Sequence, residues 1–188
     1  MGPVEIFFGT IFVFFIFVAL VRGYPRELGV ITIDFAALFL IMMFLEPNIQ
    51  DGLTILFAKL GRPMPDQRTL QHVYSGLFSL ILIFSVFAAY AGQVLSFPGS
   101  VRRGLNGFFT NLLIGGLNGY LIAGSLWYFQ DAYNYPVADL SLPGLPVILQ
   151  LPLSPTAQAL VAILPPRIVP PLGWGALMLL MLFLRIRK

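Results

Sequence analysis

The amino-acid sequence predicts an all-α membrane protein: a bundle of about five transmembrane helices, four long and one short and C-terminal, with a Pro-rich extracytoplasmic segment. Three observations carry that reading. Of the 188 residues 58% are hydrophobic and only 10% are charged, with a mean hydropathy of +0.88, whereas a soluble domain carries about 25% charge. The apolar residues are gathered into runs long enough to cross a bilayer, separated by basic or Pro/Gly-rich turns. Finally, residues 104–129 are apolar almost throughout yet studded with Gly and Asn. In water each Gly costs a helix about 1 kcal/mol relative to Ala, but in lipid small residues let helix backbones approach closely.

Residues 3–21 form the first span. Glu5 lies near its start, no positive region precedes it, and Arg22 and Arg26 follow it. That is the reverse of a cleavable signal peptide, so the segment is expected to stay in the membrane with its N-terminus outside. Arg22, Gly23 and Arg26 make a tight basic turn. Residues 28–45 are the second span, with Asp34 as its one ionisable residue. Residues 46–71 then leave the bilayer, with a surface helix at about 52–60 capped by Asp51 and stopped at Gly61-Arg62-Pro63.

Asp66 is placed to cap the next helix, which enters the bilayer near Val73 and spans residues 73–95. Arg102 and Arg103 mark a second basic turn. In the fourth span, residues 105–129, Gly107, Asn111, Gly115, Gly119 and Ala123 recur every fourth position. Gly115 and Gly119 form a GxxxG pair, so Gly107, Gly115 and Gly119 are the helix-packing candidates and this is the expected central helix. Asn111, Asn118 and Ser125 recur every seven residues, which lines their polar groups on one stripe. Trp127 and Trp174 are expected at the outer membrane interface.

Residues 130–170 contain eight prolines but only three charged residues, Asp131, Asp139 and Arg167. Disordered segments are more polar than this, which predicts an ordered, partly extended cover, packed on its own bundle or facing a partner. Ser154 as cap and Pro155 in the first turn start a short helix that Pro165-Pro166 ends. Residues 170–184 close the chain as the fifth, short span. With the N-terminus outside, seven Lys and Arg residues lie on the inner side and four on the outer, which favours a cytoplasmic C-terminus.

The composition also excludes chemistry. There is no Cys, hence no disulfide or thiolate catalysis, and the single His72 excludes a multi-histidine metal or haem site within one copy. The net charge of +3 is small and its basic residues flank the spans, which reads as topology rather than nucleic-acid binding. No catalytic, cofactor-binding or metal-ligating constellation is visible. Asp34, Asn111 and Asn118 remain as intramembrane polar residues. Asp34 and Asn111, each about 9 Å deep from the same side, read as a hydrogen-bonded structural pair, with Arg22 or Arg26 as the alternative partner. A proton- or ion-responsive Asp34 is a second possibility and snorkelling towards lipid a third.

Two stretches resemble the bacterial colicin V production protein (CvpA) family of small multi-pass membrane proteins. The first is Glu5 followed, after an apolar span, by Leu20-Val21-Arg22-Gly23-Tyr24-Pro25-Arg26-Glu27. The second is Gly115-Gly116-Leu117-Asn118-Gly119-Tyr120-Leu121-Ile122. Where the family's late helix carries charged residues, Phe108, Asn111 and Asn118 stand here, and the Pro-rich segment and fifth span are additions. The resemblance implies a non-enzymatic bacterial inner-membrane protein associated with envelope homeostasis or export. Two other classes stay open: an accessory subunit of a larger respiratory or photosynthetic complex, and an oligomeric channel or transporter. The expected partners are the lipid bilayer and other membrane subunits or further copies of the chain, without cofactors. Residues 1–188 are expected to form a single integral membrane domain.

Overall fold

The computed structural model describes residues 3–92, 95–98, 104–139 and 153–186. Arg102, Arg103, Arg187 and Lys188 therefore fall outside the described residues, as does the middle of the Pro-rich segment. Within them the chain is a membrane helical bundle. Helix α1 covers Pro3–Arg22, α2 Tyr24–Leu40, α3 Glu46–Lys59, α4 Gln67–Ala91 and α5 Leu105–Ala132. After a short 3-10 turn at Pro136–Asp139 come α6 (Pro155–Ala162), α7 (Pro165–Ile168) and α8 (Pro171–Ile186). Among the described residues four segments are long and apolar enough to cross a membrane: Val4–Arg22, Tyr24–Lys59, Gln67–Ala91 and Leu105–Ala132. The 16 residues of α8 reach about 24 Å at the usual helical rise, short of a ~30 Å hydrocarbon core.

The second span differs from the sequence reading at both ends. It begins at Tyr24 rather than 28, because Gly23 at φ 83° turns the chain in a single residue and Pro25 sits in the first helical turn. It also does not stop at 45. A π-helical turn at Ile41–Leu45 leads straight into α3, so Tyr24–Lys59 is one run of 36 residues. The separate surface helix at 52–60 capped by Asp51 is thus not what forms: Asp51 lies in mid-helix. The physical reason is Pro47, in the first turn of α3. Its ring would clash with the carbonyl four residues back in a regular α-helix, and the wider π turn just upstream makes room for it.

Caps behave as their chemistry dictates. The Asp66 carboxylate accepts from Arg68 N at 3.1 Å and Thr69 N at 3.3 Å, starting α4 upstream of the expected entry point. Ser154 Oγ accepts from Ala157 N at 3.0 Å, with Pro155 in the first turn of α6. Helix α5 ends at two non-glycine residues in the left-handed region, Asn134 and Tyr135. Arg68 braces that turn: its Nη1 donates to the Asn134 carbonyl at 3.1 Å and its Nε to Asp139 at 2.5 Å.

Helices α2 and α5 share the centre. In each of the segments that carry them 56% of the most apolar stretch is buried, against 17% for α1 and 22% for α4. Helix α5 packs against α1, α2, α4 and the short α6 and α7, while α8 packs on α2. One core joins Ile31, Phe35 and Leu38 of α2 to Phe78 and Leu82 of α4, Ile122 and Phe129 of α5, and Trp174 of α8. A second gathers Val4 and Phe8 of α1 around Trp127, Tyr135, Ala157 and Leu164. Both tryptophans are buried within the bundle. Trp127 stacks on Phe8 with centroids 4.8 Å apart and donates to Tyr135 Oη at 2.9 Å. Trp174 packs beside Phe35.

The outer surface is the inverse of a soluble protein's. Phe14 and Phe17 of α1, Phe84 and Phe87 of α4, Leu113 of α5 and Phe183 of α8 are all exposed, as expected of helices surrounded by lipid. The described part of the Pro-rich segment is tied to the bundle. Arg167 pairs with Asp131 at 2.5 Å, Tyr120 donates to the Ile163 carbonyl, and Pro165 lies against Gly124.

Candidate functional site

The sharp α1–α2 turn collects the polar side chains. Because one glycine makes the turn, the last residue of α1 and the first turn of α2 lie side by side, facing α4 and α5. Glu27, one turn into α2, is completely buried. Its Oε2 accepts from Tyr90 Oη at 2.8 Å and from Asn118 Nδ2 at 2.7 Å, and the same Asn118 nitrogen lies 2.7 Å from Tyr90 Oη. Arg22 supplies the counter-charge: its Nη1 stands 3.6 Å from Glu27 Oε1, and its guanidinium lies 4.4 Å above the centre of the Tyr90 ring. Four helices thus converge on one carboxylate. Hydrogen bonds to a charged group contribute about 1.5–3 kcal/mol each, so this junction holds the bundle at a point where apolar packing alone has no directional preference.

Asn111 completes the turn from the other side. Its Oδ1 accepts from the backbone N of Tyr24 at 2.8 Å, satisfying one of the donors that the start of α2 leaves without an intrahelical partner. The seven-residue stripe therefore has a purpose for its first two members, with Asn111 and Asn118 both turned towards α2. Ser125, the third, is buried, and its hydroxyl has no hydrogen-bond partner among the described residues.

The glycine ladder is where α1 and α5 touch. A Cβ placed on Gly119 would stand 2.6 Å from the Phe12 carbonyl oxygen, and one on Gly115 would stand 2.5 Å from the Ala19 Cβ. Gly107 is buried further along the helix. Gly29 of α2 is equally constrained: a Cβ there would lie 1.8 Å from the Leu95 carbonyl oxygen, while Phe97 N donates to the Pro25 carbonyl at 3.0 Å. Residues 95–98 are thereby pressed onto the start of α2.

Among the residues singled out from sequence, Arg22, Gly23, Asn111 and Asn118 come together at this junction, and Arg26 is exposed beside it. Asp34 does not join them. It is fully buried, which excludes snorkelling, and neither of its oxygens has a hydrogen-bond partner among the described residues. The expected Asp34–Asn111 pair is absent because α2 begins four residues earlier than expected. Asp34 therefore lies about 15 Å beyond Tyr24, the level at which Asn111 sits. Arg22, its alternative partner, belongs to Glu27.

Glu27 is the residue that sequence reasoning missed, since it read as part of an aqueous turn. Pro25 was the available signal, as a proline in the first helical turn places Glu27 inside α2. Among the described residues no group of three His, Asp or Glu side chains could hold a metal ion. No family model matches the chain, and neither a curated protein nor a solved structure matches it.

Proposed function

We propose that the chain is a non-enzymatic multi-pass protein of the bacterial inner membrane, of the colicin V production protein type, serving envelope homeostasis or export. One observation supports this reading above others. The basic turn and the glycine ladder, the two stretches on which the resemblance rests, meet through the buried bond from Asn118 to Glu27 at 2.7 Å. A charged hydrogen bond joining residues 91 positions apart gives both stretches a shared structural reason to exist. One oxygen of that carboxylate accepts two hydrogen bonds and the other faces the Arg22 guanidinium at 3.6 Å without a hydrogen bond, an arrangement that ties four helices together. The basic residues orient the chain with its N-terminus outside and its C-terminus in the cytoplasm. Its partners are lipid and other membrane proteins or further copies of itself.

Complementation tests the proposal. In a bacterium lacking its own colicin V production protein, the chain is expected to restore colicin V export and resistance to envelope stress, and a cytoplasm-dependent reporter fused after Lys188 should be active. Failure to restore either phenotype at normal membrane abundance refutes the family-type reading. Recovery from mild detergent in fixed stoichiometry with other proteins would instead mark an accessory subunit. Ion flux through a reconstituted homo-oligomer would mark a channel.

A further inference from the structure

Two cavities share Tyr90 as a wall residue. The first is an apolar groove of about 590 Å3 between α1 and α4, floored by Ile122 and Leu126 of α5. It runs from Thr10 to Val18 along α1, roughly 12 Å at the helical rise. Thr10 adds no free polarity, since its hydroxyl donates to the Ile6 carbonyl at 2.8 Å. The rim residues Phe14, Ile83 and Phe87 are exposed, so the groove opens sideways at the level of the spans. The second cavity, about 510 Å3, lies at the C-terminal ends of α1 and α4 and is lined by Arg22, Arg26, Tyr90, Gly92 and Ser96 among others.

The charges in this cleft are unequal. Glu27 balances Arg22, although Arg22 Nη1 itself makes no hydrogen bond among the described residues. Arg26 has no ion-pair partner among them and is exposed. Arg22 Nη1 is buried, so the cleft's net positive charge and its accessible unused donors rest on Arg26. The C-terminal ends of α1 and α4 each contribute only about half a negative charge, and the start of α2 offsets one of them.

We propose that these two adjoining cavities bind one anionic phospholipid, with an acyl chain in the α1–α4 groove and its phosphate against the Arg26 and Arg22 side of the cleft. The pairing of cavities selects this occupant. A soluble anion would use the cleft and leave the groove empty. A further transmembrane helix would fill the groove and leave Arg26 without a counter-charge. Only an amphiphile with a negatively charged head satisfies both, and guanidinium forks match phosphate oxygens in geometry as well as charge. The proposal rests on the spans lying in a bilayer and is independent of the family-type reading.

The test uses the full chain in a neutral detergent, titrated with phosphatidylglycerol or with phosphatidylcholine of the same acyl chains, with binding read by native mass spectrometry. Phosphatidylglycerol is expected to bind once per chain and more tightly than phosphatidylcholine. Arg26→Gln should weaken phosphatidylglycerol about fivefold, the weight of one arginine beside an anionic lipid, and leave phosphatidylcholine unchanged. Ile83→Trp, which fills the groove, should weaken both lipids; if it folds poorly, Phe87→Trp reads the same wall. Both Arg26 and Ile83 are exposed, so unfolding temperatures without lipid should match the parent. Equal affinity for the two lipids, or an unchanged affinity in Arg26→Gln, overturns the proposal. Displacement of phosphatidylglycerol by inorganic phosphate alone would make the cleft a free-anion site and also overturn it. A photo-crosslinker at Phe87 that captures protein instead of lipid in native membranes would do the same.

Discussion

Adding a single methyl group to Gly119 should loosen α1 from the bundle. A Cβ at this position would lie 2.6 Å from the Phe12 carbonyl oxygen and 3.2 Å from its Cα. Both are backbone atoms of a continuous helix, so neither can swing aside. Ordinary contact begins at about 3.5 Å, and α1 would have to retreat by nearly 1 Å along the face where it meets α5. Alanine returns about 1 kcal/mol of helix propensity, while overpacking a tight contact costs about 1–3 kcal/mol and the lost α1–α5 contact adds to it. Gly119→Ala is therefore expected to destabilise by about 1–2 kcal/mol, which for a chain of this size lowers the melting temperature by roughly 2–8 °C in detergent. Gly9→Ala is the control, because Gly9 is exposed and a Cβ there meets nothing within 4 Å; it should keep or slightly raise the melting temperature. Gly115→Ala provides an internal check. Its Cβ would meet the Ala19 Cβ at 2.5 Å, a side chain that can be removed, and the Ile16 Cα at 3.1 Å, which cannot, so Ala19→Gly should recover part of the loss in a double-mutant cycle. If Gly119→Ala behaves like Gly9→Ala, α1 does not pack on α5 through this ladder and the argument fails.

Three further outcomes follow from the polar residues. Glu27→Gln keeps an acceptor for Tyr90 and Asn118 and should fold with a modest loss, whereas Glu27→Ala strands three partners and should cost about 3–5 kcal/mol; equal folded yields of the two variants would contradict the junction. Asp34→Leu should be tolerated or stabilising, since it removes a buried carboxyl with no partner among the described residues, a group whose desolvation costs about 1–3 kcal/mol. A clear drop in melting temperature for Asp34→Leu would show that the carboxyl has a partner. The Arg68 hydrogen bond and charge, with His72 nearby, hold the Asp139 carboxyl below its ordinary value of 3.8. Its contribution is therefore present above that value and lost as the pH falls through the lower folded value. Proteolysis at residues 133–139 should stay slow from neutral pH down to about 4 and quicken below, while Asp139→Asn should be fast throughout; pH-independent protection of the parent would refute the pairing.

The sequence by itself determined the class of the molecule, the number of long spans and the face of α5 that packs. Composition and run length report the solvent directly, and a small residue every fourth position is visible without knowing what lies against it. Asp66 and Ser154 were legible as caps for the same reason, because a cap acts within its own turn. What only the tertiary structure decided was the pairing between distant residues. Pro47 could have ended a helix or been absorbed by a π turn, and the outcome depends on α2 being held by its neighbours on both sides. Glu27 looked aqueous until Tyr90 and Asn118 arrived from helices 63 and 91 positions away, while Asp34 looked paired until α2 began four residues early. Local chemistry fixes where a helix starts and which face is smooth. The depth at which two helices meet is set by the whole bundle, and a shift of one turn moves a side chain about 5 Å, enough to exchange one polar partner for another.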